Sequence, residues 1–177
     1  SPSAATTLSG TAAVGAPIVG ATVNVTFAAG AALSNIPVTG NMGAWSVTLS
    51  GQTLPCAVPM SGGTVNGVAN TTAYQSIATS LGTVNVTPLT SLLVANLVGT
   101  ATPNMWFANL TPAQLSAITP TQVGTSLTHL RTASNLIALN TIDPITLPFN
   151  PTPGEVMDDI LSALGCGFNP MFSYANL

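Results

Sequence analysis

Charged side chains are almost absent from this chain, and their scarcity limits how its surface can behave. The 177 residues include one basic and four acidic side chains: Arg131, Asp143, Glu155, Asp158 and Asp159. An ordinary soluble domain has about a quarter of its residues charged. Net charge keeps copies of a protein apart, and charged residues protect sheet edges from pairing. The composition therefore predicts a chain that associates with a partner or with copies of itself.

The composition also excludes several classes of partner. With 46% hydrophobic residues the chain can bury a core, which argues against disorder. The longest apolar segment, Leu89–Val98, is interrupted by polar residues and is too short to span a bilayer, so we expect no transmembrane segment. One Arg and no Lys cannot neutralise a row of phosphates, which excludes nucleic acid and anionic membrane surfaces.

The first half of the chain has the pattern of β-strands. Residues 21–27 alternate polar and apolar side chains, and in residues 44–49 Trp45, Val47 and Leu49 would share one face. Turn residues recur about every eight to twelve positions, which is typical of a sandwich. We therefore expect an antiparallel β-sandwich of the immunoglobulin or transthyretin type over residues 1–87.

The pattern becomes helical after residue 87. Thr111 with Gln114 three residues later forms a capping box, which predicts a helix start. A longer helix is expected over residues 120–139, and a last helix over residues 152–164. The predicted fold class is α+β, with a helical part at 88–166 beside the sandwich and a separate tail at 167–177.

The tail is rich in apolar and aromatic side chains: Phe168, Met171, Phe172 and Tyr174. Terminal residues are normally polar. One interpretation folds the tail onto its own core, and the other docks it into a neighbouring subunit. The second makes these four residues candidate intersubunit contacts.

Two cysteines, Cys56 and Cys166, lack any metal or redox spacing. In an exported protein we expect them to form one disulfide; the alternative is two buried thiols. The first residues, 1–5, are typical of a mature end left after cleavage at a small-residue site, which fits export.

Several stretches resemble known exported proteins. Residues 8–23 resemble the opening of transthyretin-like or carboxypeptidase-regulatory-like β-sandwich domains, and residues 40–49 are similar to a hairpin of those domains. Residues 82–95 are similar to a block that follows such sandwiches in surface proteins of Gram-negative bacteria, and residues 143–149 and 157–161 resemble their helical part. The resemblance implies a secreted bacterial sandwich with a helical companion and without catalytic residues.

Candidate chemical groups are few. His129 is the single histidine and lies two residues before Arg131, and no nucleophile elbow is present, so we predict no catalytic residue and no enzyme. Glu155, Asp158 and Asp159 suit the positive N-terminal end of a helix. A weak cation site is the alternative, but a calcium loop is missing, so no metal or cofactor is expected. Arg131 and Asp143 are a candidate ion pair.

Surface glycans could be attached to the chain or bound by it. Asn24, Asn70 and Asn109 lie in glycosylation sequons, whereas the sequon of Asn85 falls in the family-like block and has a structural interpretation. Aromatic residues could also form a sugar platform, although core positions fit them better; they are Trp45, Tyr74 and Trp106.

The leading prediction is a structural subunit of an extracellular, self-assembling filament, sheath or surface layer. Copies of the chain would be its partners, and terminal segments would make the contacts. The alternative is a cell-surface adhesin or carbohydrate-binding module, which would bind surface glycans.

Overall fold

The computed structural model describes residues 6–165 and shows a mixed α+β fold, which confirms the predicted class. Strands come first and helices follow from Pro88 onward. The strands are β1 (Thr7–Thr11), β2 (Ile18–Val23), β3 (Thr26–Ala29), β4 (Ala44–Thr48), β5 (Thr53–Val65), β6 (Val68–Ala69), β7 (Tyr74–Ala78) and β8 (Gly82–Thr83).

The smaller sheet has the order β4-β1-β8. Strand β4 runs antiparallel to β1, with Ser9 opposite Ser46 and Gly10 opposite Trp45. Strand β8 runs parallel to β1. Hydrogen bonds continue this pairing beyond β8, because the N–H groups of Val84 and Val86 donate to carbonyls of β1.

The larger sheet is organised around the long strand β5. Strands β2 and β3 pair antiparallel with two successive stretches of β5, and β6 and β7 also pair antiparallel with β5. The continuous strand expected over residues 21–27 is interrupted after Val23, where the Asn24 N–H donates to the Pro59 carbonyl. Residues 37–39 lie beside β2: Val38 makes an isolated bridge with Thr22, and the Thr39 N–H donates to the Ala21 carbonyl.

The helices are α1 (Pro88–Val98), α2 (Pro103–Ala108), α3 (Pro112–Ser116), α4 (Pro120–Ser134) and α5 (Val156–Gly165), with a 3-10 helix at Ile137–Thr141. The predicted capping box of Thr111 and Gln114 is confirmed. Helix α4 ends earlier than expected because Asn135 adopts a left-handed conformation with φ 53°. Helix α5 begins later than expected, after Gly154 at φ 96°.

Sheets and helices both contribute to the larger of two buried hydrophobic clusters. Leu8 of β1, Ile18 of β2 and Val58 of β5 belong to the same buried cluster as Leu93 of α1 and Leu130 of α4. Trp45 and Leu49 are buried and Val47 packs against this cluster, which confirms their shared face. No helix within residues 6–165 combines the length and apolarity needed to cross a lipid bilayer.

Helix α1 covers the outer edge of β7. The N–H of Gln75 donates to the Ser91 hydroxyl (2.9 Å), and the Thr90 hydroxyl donates to the Gln75 carbonyl (2.7 Å). These contacts give the edge of the larger sheet hydrogen-bond partners that a free edge strand lacks.

Candidate functional site

The smaller sheet ends at β4, whose outer side has no neighbouring strand. The N–H of Ala12 donates to the Gly43 carbonyl and the N–H of Leu49 to the Thr6 carbonyl, which fixes the alternation of the antiparallel ladder. The backbone groups of Trp45 and Val47 therefore point toward β1. Those of Ser46 and Thr48 point away from it, and within residues 6–165 no partner strand receives them.

This edge lacks the usual protection against pairing. All the charged side chains lie at residue 131 or later, so the chain from residue 1 to residue 128 carries none. Strand β4 also contains no proline, and its register with β1 runs without a bulge. Charge, proline and bulges are among the means by which proteins block edge strands, and β4 has none of them.

A trough of about 560 Å³ lies on the face of the smaller sheet. Ser9, Thr11, Ser46 and Thr83 line it from the three strands. Two chain segments, around Val38 and around Phe149, line it as well. Its lining residues carry no charge, and Val38 and its neighbours Ile36 and Met42 are exposed apolar residues. The trough therefore suits an uncharged ligand or polypeptide segment.

Asn85 fixes one side of the trough. Its side chain is fully buried, accepts a hydrogen bond from the Thr11 N–H (3.2 Å), and donates to the carbonyls of Pro144 (3.2 Å) and Leu147 (2.6 Å). The Thr11 hydroxyl donates to the Phe149 carbonyl. Sequence reasoning gave Asn85 a structural origin without identifying these contacts, because its partners lie about sixty residues away.

The aromatic residues considered as a sugar platform are all buried or half-buried. Trp45 is 3% exposed and belongs to the main core cluster, and its indole Nε1 has no hydrogen-bond partner among the described residues. Trp106 packs against a second cluster and makes an edge-on contact with Phe107 at 5.3 Å between ring centroids. Tyr74 is half-buried beside the main core.

Arg131 and Asp143 each bind a backbone group. The Arg131 guanidinium donates to the carbonyls of Leu139 (2.9 Å) and Ile142 (2.7 Å), which ties the 3-10 helix to α4. The Asp143 carboxylate accepts from the Ile145 N–H (2.9 Å). The ion pair between the two side chains stays a prediction.

The acidic residues near the start of α5 have different environments. The Asp159 carboxylate accepts from the Gly154 N–H at 3.3 Å, and Glu155 is exposed. Asp158 is buried, and its Oδ1 has no hydrogen-bond partner among the described residues. Burial raises the pKa of the Asp158 carboxyl, and the charges of Asp159 and Glu155 raise it further.

Cys56 lies in β5 and is fully buried. Burial raises the pKa of its thiol to about 12, against a smaller lowering from a hydrogen bond with the Ala78 backbone. Its expected partner Cys166 lies outside the described residues, as do Phe168, Met171, Phe172 and Tyr174. The disulfide and the tail contacts stay predictions.

The candidate glycosylation sites differ in accessibility. The side chains of Asn24 and Asn109 are exposed, although the Asn109 amide donates to the Met105 carbonyl. The Asn70 amide donates to the carbonyls of Gly62 and Thr72, so its nitrogen is engaged within a turn.

His129 is exposed and contacts the Asn96 side chain at 3.1 Å. Across residues 6–165, no three His, Cys, Asp or Glu side chains form a group that could hold a metal.

Comparison of the chain with protein families, with curated proteins and with solved structures finds no match. The structure itself defines an α+β fold, in which a three-stranded sheet, a five-stranded sheet and helices contribute to a common buried cluster. The resemblance to transthyretin-like domains stays a prediction.

Proposed function

We propose that this protein is a structural subunit of an extracellular filament, sheath or surface layer built from copies of the chain. The observation that carries the proposal is the edge of β4, where the backbone groups of Ser46 and Thr48 have no partner within residues 6–165 and the surrounding stretch carries no charge. Exposed edges of this kind are templates for pairing with another chain, and proteins that stay apart block them.

The finer fold assignment belongs to the same proposal. We assign the two sheets to a β-sandwich of the transthyretin-like or carboxypeptidase-regulatory type. Leu8 of the smaller sheet and Ile18 and Val58 of the larger sheet share one buried cluster, as facing layers of a sandwich do. The resemblance of residues 82–95 to a block in surface proteins of Gram-negative bacteria supports the extracellular location.

The C-terminal segment 167–177 supplies a second contact in this proposal. It carries aromatic side chains and no charged side chain, and it would dock on a neighbouring subunit by strand addition or by filling a groove. The uncharged trough with Val38 and Phe149 among its lining residues is the surface whose chemistry fits such a segment.

Negative-stain electron microscopy of the full chain and of a chain lacking residues 167–177 tests this function. We expect regular filaments or sheets from the full chain and isolated particles from the shortened chain, because the shortened chain loses one of two contacts. Monodisperse particles of the full chain at every salt concentration and pH would contradict assembly. Normal filaments from the shortened chain would contradict only the role of the tail.

A further inference from the structure

The edge of β4 has the geometry to pair with the same edge of a second copy. Among residues 6–165 the N–H and carbonyl groups of Ser46 and Thr48 have no partner on this side, whereas the Ala44 carbonyl already accepts from the Gly40 N–H (2.9 Å). At the other end, the Ser50 N–H donates to the Gln52 side chain and Gly51 turns the chain with φ 85°. The free edge is therefore three residues long and centred on Val47.

We propose that two copies pair antiparallel through β4 about a two-fold axis at Val47. In this register Ser46 lies opposite the partner's Thr48 and Thr48 opposite the partner's Ser46. The pairing forms four backbone hydrogen bonds and leaves no donor or acceptor of these residues unused. A strand edge that satisfies a copy of itself is a self-complementary, isologous contact.

The side chains on both faces of β4 tolerate this pairing. Ser46 and Thr48 are exposed, small and uncharged, so no like charges meet across the axis. Val47 is half-buried at the margin of the core, and in this register it lies against the partner's Val47. The contact therefore adds an apolar pair to the hydrogen bonds.

The contact is short, so an isolated pair of subunits is expected to be transient. In an assembly held by further contacts, pairing of the two β4 edges is favoured because the neighbouring copy is present at a high effective concentration. The inference deepens the proposed function by naming one interface. A two-fold contact alone closes as a dimer, so filaments need another contact in addition.

Disulfide trapping tests the contact and its register. In the proposed pair the Cα atoms of the two Val47 residues are about 4.5 Å apart, within the range that a disulfide spans. We expect Val47→Cys to give covalent dimers severalfold more often than Thr128→Cys, which places an exposed cysteine on α4. Equal dimer yields for the two variants would overturn the proposal.

A second measurement avoids altering the core. Ser46→Cys and Thr48→Cys lie on the exposed face, and each alone places its two cysteines about two residues out of register, beyond disulfide reach. An equimolar mixture of the two, carrying different tags, should give mixed covalent dimers. Cross-linking of each variant by itself to the same extent would contradict the register.

A third variant separates this interface from the proposed function. Thr48→Lys adds a charge to the edge, and Thr132→Lys adds the same charge to the exposed side of α4. In the Val47→Cys background, we expect Thr48→Lys alone to reduce the dimer yield. Trapped dimers without filaments would support the β4 contact and contradict the filament. Filaments without trapped dimers would support the proposed filament and contradict the β4 contact.

Discussion

Asp158 is a carboxylic acid held inside the protein with few means of stabilising its charge. Burial, followed by the charges of Asp159 and Glu155, raises its pKa in the folded state. The folded chain therefore binds this proton more tightly than the unfolded chain does. It follows that folding stability falls as pH rises from the ordinary pKa of aspartic acid, about 3.9, through the higher folded value, and then levels off.

Asp158→Asn should remove this pH dependence, because the amide has the size of the carboxyl group and carries no charge. We expect the variant to unfold at a higher temperature than the wild type at about pH 7 and to differ little from it near pH 4. Circular dichroism melts across that range measure the effect. Asp159→Asn is the comparison, since it removes one charge that repels the Asp158 carboxylate but also the acceptor of the Gly154 N–H, so it should gain less at neutral pH than Asp158→Asn. A less stable Asp158→Asn protein at neutral pH would show that the charged form is needed.

At the scale of elements, the contact of α1 with the edge of β7 rests on buried hydroxyl groups. Ser91→Ala would leave the Gln75 N–H buried and unpaired, because the Ser91 hydroxyl is its acceptor. We expect the free energy of unfolding to fall by about 1–3 kcal/mol. Ser116→Ala, at the exposed end of α3, should change it by less than about 0.5 kcal/mol.

Urea denaturation of the two variants beside the wild type measures this difference. A loss as small in Ser91→Ala as in Ser116→Ala would show that water or another group replaces the Ser91 hydroxyl. The hydrogen bond to α1 would then contribute little to closing the edge of β7.

Local elements were the part of the fold that the sequence could predict. The capping box of Thr111 and Gln114 needs only residues that are close in the chain, and so does the alternation of Trp45, Val47 and Leu49. The break after Val23 falls where Asn24 meets Pro59 of β5, which accepts from the Asn24 N–H but has no N–H to donate in return. Helix α4 ends early at Asn135, which caps it in a left-handed conformation. The first feature depends on a contact across the sheet that no local pattern contains, whereas an Asn that ends a helix is a local signal.

In the candidate site, too, some features can be predicted from the sequence and others require the fold. The absence of charge on β4 is visible in the sequence, but its position at the edge follows from the pairing of β1 with both β4 and β8. The trough likewise requires Asn85 to hold the segment that includes Pro144 and Leu147. Composition could therefore predict a surface open to association, while only the fold locates it.

At the scale of the whole molecule, the distribution of charge predicts how assembly responds to salt. The acidic and basic residues all lie between positions 131 and 159, and the proposed contacts at β4 and the trough contain none of them. Raising the ionic strength from about 0.1 M to 1 M shortens the screening length from about 10 Å to 3 Å, which weakens contacts between exposed charges. Contacts made of backbone hydrogen bonds and apolar side chains lack this dependence.

We therefore expect the amount of assembled protein, measured by sedimentation and light scattering, to change little between low and high sodium chloride. Sodium sulfate at the same ionic strength should increase it, because excluded salts favour the burial of surface. Thr132→Lys and Thr48→Lys extend the comparison, since each introduces one charge, on α4 in the first case and on the edge of β4 in the second. A steep loss of wild-type assembly in sodium chloride would place the contacts at the charged residues of the C-terminal half and contradict an interface at β4.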